Sequence, residues 1–161
     1  MITHTNRRTL RAATALVSAV ALVGVSAAPA LAHSPKRQLK ASLSGANEVS
    51  ATTGKPGAGD PDGSGKARVK IDLRNGRLCY TLRVKDIDPA VAAHIHDAKA
   101  GVNGPIVVTL AAPTNGRSRG CVTVEMTLLK DIRTNPSEYY VNVHNLAFPG
   151  GAVRGQLASK R

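Results

Sequence analysis

Lys66-Ala67-Arg68-Val69-Lys70-Ile71-Asp72-Leu73, then Asn75-Gly76, then Leu78-Cys79-Tyr80-Thr81-Leu82-Arg83-Val84, decides the class of this fold. On both sides of Asn-Gly, apolar side chains alternate with polar or charged ones. That period of two is the mark of a strand with one face in a core and the other in water. Asn-Gly suits a primed two-residue hairpin turn, because both central positions there need positive φ. The same alternation predicts further strands over Leu39 to Ser44, Ala92 to Asp97, Pro105 to Leu110, Cys121 to Glu125, Tyr139 to Asn145 and Ala152 to Leu157. Asn115-Gly116 and Pro149-Gly150-Gly151 punctuate them.

Helical spacing shows clearly in one segment. Over Thr127 to Arg133, Leu128, Leu129 and Ile132 form an apolar stripe, Thr127 can cap it, and Asn135-Pro136 ends it. About eight short strands and one short helix read as an all-β chain: a single β-sandwich or barrel, mostly antiparallel, of the Greek-key, immunoglobulin-like or superoxide-dismutase-like kind. Residues 45–65, rich in Gly, Pro, Ser, Thr and Asp, read as a turn-rich surface loop. Asp60-Pro61-Asp62-Gly63 imitates part of a calcium loop but lacks the later ligands and the terminal Glu.

Residues 1–32 carry the features of an export signal. Arg7, Arg8 and Arg11 make a basic start, Ala12 to Val25 an apolar stretch, and Ala30-Leu31-Ala32 a small-x-small cleavage site before His33. Arg7-Arg8 also resembles a twin-arginine signal, so the export route stays open. The expected product is secreted and monomeric, with a loose lead over 33–37, a folded domain over 38–158, a short tail over 159–161 and no membrane span.

Without Arg7, Arg8 and Arg11, the 22 Lys and Arg become 19 against 10 Asp and Glu, a formal charge of +9. Such a charge attracts anionic polymers of a cell envelope. The basic residues look scattered along the strands, as on a solvated face. With no Trp, one Phe and three Tyr, the chain lacks the stacking platforms of single-strand binders, and specific nucleic-acid recognition is not expected.

Cys79 and Cys121 are the only cysteines, and in an exported chain they are most simply one disulfide. Both have the parity opposite to their large apolar neighbours, which suits a bridge between strands on the less apolar face. Closing a loop of about forty residues would stabilise the fold by about 3 to 4 kcal/mol in the chain-entropy account.

The reactive-looking residues are histidines. In Ala93-His94-Ile95-His96-Asp97 both rings share one strand face, and in Tyr139-Tyr140-Val141-Asn142-Val143-His144-Asn145 the ring of His144 opposes Val143. If the two strands meet, His94, His96 and His144 could surround one Cu or Zn ion. The competing reading is a hydrogen-bonded network of these rings with Asp97 and Asn142. Tyr139 and Tyr140 face opposite ways, so one should enter the core and the other sit near His144. Arg154 could clamp an anion or pair with Glu48, and pairing is favoured.

Neither a nucleophile elbow nor a free thiol is expected, and no catalytic residue is named. His94-Ile95-His96 also resembles the copper strand of Cu/Zn superoxide dismutases, but those enzymes need more histidines and an Asp for a second metal. Cupins share the pattern yet carry a Glu where Ala100 and Gly101 stand. His33 as a terminal copper chelator, in the manner of lytic polysaccharide monooxygenases, finds no other support.

Taken together, four ordered motifs resemble the CHRD domain. They are Leu43-Ser44-Gly45-Ala46-Asn47-Glu48-Val49, then Leu78 to Leu82, then His94-Ile95-His96 running on through Gly101 to Val108, and last Val141 to His144 with Phe148 to Leu157. The resemblance spans roughly residues 38 to 158. It implies a β-rich extracellular module and no stated activity, and growth-factor antagonism does not carry over, because this chain has no cysteine-rich module. Two functions follow as expectations: a non-enzymatic binding module for an envelope polymer or an extracellular protein, or a mononuclear copper or zinc protein in metal handling or redox protection.

Overall fold

The computed structural model describes Met1 and residues 37–159. The export signal and most of the lead fall outside the described residues, but Arg37 already belongs to the first strand. The elements are β1 (Arg37–Ser44), β2 (Ser64–Asp72), β3 (Arg77–Lys85), β4 (Ala92–Asp97), β5 (Ile106–Leu110), β6 (Arg117–Thr123), α1 (Met126–Thr134), β7 (Tyr139–His144), β8 (Val153–Gln156) and β9 (Ala158–Ser159). Eight strands run in the order β5-β4-β7-β8-β1-β2-β3-β6, every pairing antiparallel. The sheet curls into a nearly closed barrel. Its two edges, β5 and β6, face each other across a cleft lined by Val107, Thr109, Val122 and Leu128.

One parity of each strand fills the interior. Leu39, Val69, Ile71, Leu78, Leu82, Ile95, Val141 and Val143 are almost wholly buried there, joined by Leu129 and Ile132 of α1. Burying each such aliphatic side chain contributes about 1.5–3 kcal/mol, which is how a barrel with so few aromatics holds together.

Several boundaries differ from the sequence reading. The β2–β3 hairpin has a four-residue loop, Leu73 to Gly76, rather than a two-residue one, because Asp72 pairs directly with Arg77. Only Gly76 has positive φ (59°), and Asn75 instead donates its side-chain amide to Asp72 (3.0 Å). Strand β6 starts at Arg117, earlier than patterning suggested, and α1 is entered through Glu125 rather than Thr127. Ser159, expected in the tail, instead pairs with Leu39, next to Ala158 opposite Lys40. Cys79 and Cys121 face each other in register and form the disulfide, on the outer face.

The largest departure is the segment between β1 and β2. It folds back over the outer face of the sheet, with Gly59 N–H donating to Gly45 O (3.2 Å) and Asp60 N–H to Ala152 O (2.9 Å). Gly45 and Gly59 permit the approach, because a Cβ on Gly45 would lie 1.7 Å from the carbonyl oxygen of Asp60. Glu48 and Val49 are thereby buried. Asp60 caps the turn at Asp62 N–H (3.3 Å), as a plain turn residue does.

A candidate metal centre under the loops

Strands β4 and β7 are neighbours, with Ala92 opposite His144, His94 opposite Asn142 and His96 opposite Tyr140. Directly opposed residues share a face. His94, His96, Tyr140, Asn142 and His144 therefore all project outward, and through β8 Arg154 joins them opposite Asn142. Elsewhere this outer face meets water. Here the loops between β1 and β2 and between β4 and β5 cover it, and β7 is buried on both sides.

The three imidazoles converge. One ring nitrogen of each lies within 4.8 Å of those of the other two, and His94 Nδ1 is 3.3 Å from His144 Nε2. Two imidazole nitrogens bound at about 2.0–2.1 Å in a tetrahedral site stand roughly 3.3–3.4 Å apart, so this edge already has the required length. His96 Nδ1–H donates to the carbonyl of Gly104 (2.9 Å) and His144 Nδ1–H to that of Pro149 (3.0 Å). A carbonyl can only accept, so in the neutral rings both Nε2 atoms are bare lone pairs. This carbonyl support behind the ring is what metal-ligating histidines use to fix tautomer and orientation.

His96 Nε2 is buried and has no partner among the described residues. An acceptor left so inside a protein costs about 1–3 kcal/mol, and a bound cation would remove that cost. Burial lowers the pKa of all three rings from 6.5, and their mutual repulsion lowers His94 and His96 further. The hydrogen bonds to Gly104 and Pro149 only partly oppose this for His96 and His144. The trio is thus neutral at pH 7, the state in which imidazole ligates. With both cysteines in the disulfide, there is no thiolate to compete.

Behind the trio is a stack that sequence reasoning missed. His96 lies flat on Tyr140 (ring centroids 4.7 Å, 10° between planes), and the Arg154 guanidinium sits 4.2 Å from the Tyr140 ring. Arg154 donates to Asn103 Oδ1 (2.8 Å) and Val102 O (3.1 Å), so it does not bond Glu48 as the sequence reading favoured. It acts on Glu48 only through space. Asn103 in turn donates to Val49 O (3.1 Å), tying the two covering loops together. Both tyrosines are buried: Tyr139 in the core, with its hydroxyl donating to Asp131, and Tyr140 beside His96 rather than His144. Asp97 is exposed, acts electrostatically on Tyr139 and takes no part in the cluster.

Next to His96 opens a cleft of about 340 Å³, lined among others by Glu48, Asn103, Tyr140, Asn142 and Gly151. Glu48 is 2 % exposed, and burial raises its pKa to about 8, against the opposing pull of Arg154 and Asn142. At neutral pH it is mostly a protonated acid. Asn142 Nδ2 donates to Glu48 Oε2 (3.4 Å), while Glu48 Oε1 and Asn142 Oδ1, like His96 Nε2, find no partner among the described residues. The cleft wall is polar and incompletely bonded, as a wall that meets a ligand or ordered water would be.

Of the residues singled out in the sequence, His94, His96, Asn142, His144, Glu48 and Arg154 come together here. The carbonyls of Gly104 and Pro149 were not foreseeable as partners. A hint lay in Gly104, where a Cβ would meet the carbonyl oxygen of Asp97 at 1.9 Å, so that only glycine brings this loop close to β4. A family model for the CHRD domain matches residues 39–157 of the chain. No curated protein and no solved structure matches it.

Proposed function

Because the chain belongs to the CHRD-domain family, with strands β2 to β8 inside the match, we propose that it is an exported binding module holding one copper or zinc ion on His94, His96 and His144 and serving metal handling. The observation that carries this reading is the pairing of two Nδ1–H donors with backbone carbonyls, which leaves two Nε2 lone pairs directed away from those bonds and one of them buried without a partner among the described residues.

The donor set suits the chemistry. Neutral imidazoles favour zinc and copper over the hard cations, which prefer carboxylates and carbonyls. Three nitrogens leave a coordination position for water or an outside ligand, as open zinc sites do. The chain's own part is to hold the rings: Gly104 and Pro149 fix two tautomers, Tyr140 supports the plane of His96, and Arg154 anchors the loop that carries Gly104. A hydrogen-bonded histidine network without metal accounts for the His94–His144 contact but leaves His96 Nε2 unexplained.

The test is a titration of metal-free protein with Zn²⁺ or Cu²⁺ at pH 7.5, read by calorimetry and by melting temperature. One equivalent should bind and raise the melting temperature. His94→Ala, His96→Ala and His144→Ala should each remove most of the effect. Absence of one-equivalent binding would end the proposal.

A further inference from the structure

The outer face of β1, β2, β3 and β6 is left bare by the loops, and there the cations stand in register. Lys66 is opposite Arg83, and Arg83 is opposite Arg117, so three adjacent strands carry one cationic row. Two residues along, Lys40 is opposite Arg68, which is opposite Thr81, which is opposite Arg119. All six basic side chains are exposed. Among the described residues none of the six forms an ion pair. The one carboxylate these strands place on the face, Asp72, stands at its end and accepts from Asn75.

Strands lie about 4.8 Å apart, and like charges directly opposite each other destabilise a sheet. This face therefore carries repulsion that a bound polyanion would relieve. Two shallow depressions follow the rows. One, of about 380 Å³, lies among Ser42, Ser64, Lys66 and Arg83, and the other, of about 260 Å³, among Gln38, Arg68, Lys70 and Thr81.

We infer that this platform binds a linear acidic polysaccharide along its cationic rows. The side chains between the cations decide the class of partner. They are Gln38, Ser42, Thr81 and Thr123 with the disulfide, groups that match a hydroxyl-rich chain. No aromatic ring lies on the face to stack a base, since Tyr80 points inward with its hydroxyl accepting from Ala111 N–H (2.7 Å). Among the described residues no exposed large apolar side chain lies on this face to enter a bilayer. The inference is independent of the histidine site, which occupies the other half of the sheet.

The test uses polygalacturonate as probe, with uncharged dextran, single-stranded DNA and phosphatidylglycerol vesicles beside it. The protein should bind polygalacturonate and not dextran, and raising salt should weaken binding. Lys66→Gln/Arg83→Gln/Arg117→Gln should lose about ten-fold or more in affinity. A charge-matched variant elsewhere, Lys55→Gln/Lys99→Gln/Lys130→Gln, should stay within about two-fold of the parent. Since the row variant relieves repulsion, its melting temperature should not fall, which separates lost binding from lost folding. Equal weakening in both triple variants would overturn the inference, as would no binding at low salt, or tighter binding of DNA or vesicles than of polygalacturonate.

Discussion

The Nδ1–H of His144 donates to the carbonyl of Pro149 across 3.0 Å, and this bond sets the protonation of its neighbour. With Nδ1 occupied by hydrogen, His144 Nε2 must accept, so the 3.3 Å contact with His94 requires the proton on His94 Nδ1. Nitrogen NMR of the metal-free protein at pH 7.5 should therefore show His144 and His96 as Nδ1–H tautomers with bare Nε2. Signals typical of the Nε2–H form for either ring would contradict the ligand geometry.

Glu48 makes the fold less stable as pH rises from about 4.5 to about 8. Its folded pKa of about 8 exceeds the ordinary 4.5, so between those values the folded state holds a proton that the unfolded state has lost. Its contribution falls as pH rises through this window. Glu48→Gln should flatten that loss, and chemical denaturation of both proteins at pH 5 and pH 8 checks it. Identical pH dependence in the two would show that Glu48 is ionised in the fold.

The histidines act in the opposite sense. Their folded pKa values lie below 6.5, so as pH falls past 6.5 the unfolded state takes up protons first and the metal-free fold loses stability. Replacing all three by Gln should reduce this acid sensitivity. The melting temperature measured from pH 7.5 down to pH 5 reads it directly, and an unchanged acid limb would place charged rings in the native state.

Arg154 is a structural anchor whose loss should reach the histidines indirectly. Arg154→Met leaves Asn103 Oδ1 and Val102 O without their donor and should cost about 2–3 kcal/mol of stability. It also loosens the loop that presents Gly104 to His96. Metal affinity should fall by about ten-fold, the equivalent of 1.4 kcal/mol, while the stoichiometry stays at one. Unchanged affinity would detach the stack from the site.

Removing the disulfide should separate stability from site. Cys79→Ser/Cys121→Ser opens the crosslink between residues 42 apart and should cost about 3–4 kcal/mol. The bridge joins β3 to β6, whereas the histidines stand on β4 and β7, so metal stoichiometry should not change. Loss of metal binding in a still-folded double variant would mean that the two halves of the barrel are coupled.

The strand class, the shared face of His94 and His96 and the pairing of Cys79 with Cys121 could all be read from the sequence, because each depends on parity along the chain. What depends on register between strands could not. Lys66, Arg83 and Arg117 look scattered until three strands align them. The partners of His96 and His144 are backbone carbonyls, which leave no mark in a sequence. Glu48 sits in a stretch whose composition reads as a solvated loop, and its burial follows from glycines that let that stretch lie against the sheet. Arg154 and Glu48 do come near each other, but Asn103 and Val102 offer the guanidinium nearer partners.

X-ray absorption of the protein loaded with one equivalent of Zn²⁺ or Cu²⁺ reads whether three imidazole nitrogens share one ion. The ion should show three imidazole nitrogens at about 2.0–2.1 Å, with one imidazole fewer in His94→Ala. A shell of oxygens, or one unchanged by removing any of the three rings, would contradict the three-histidine site.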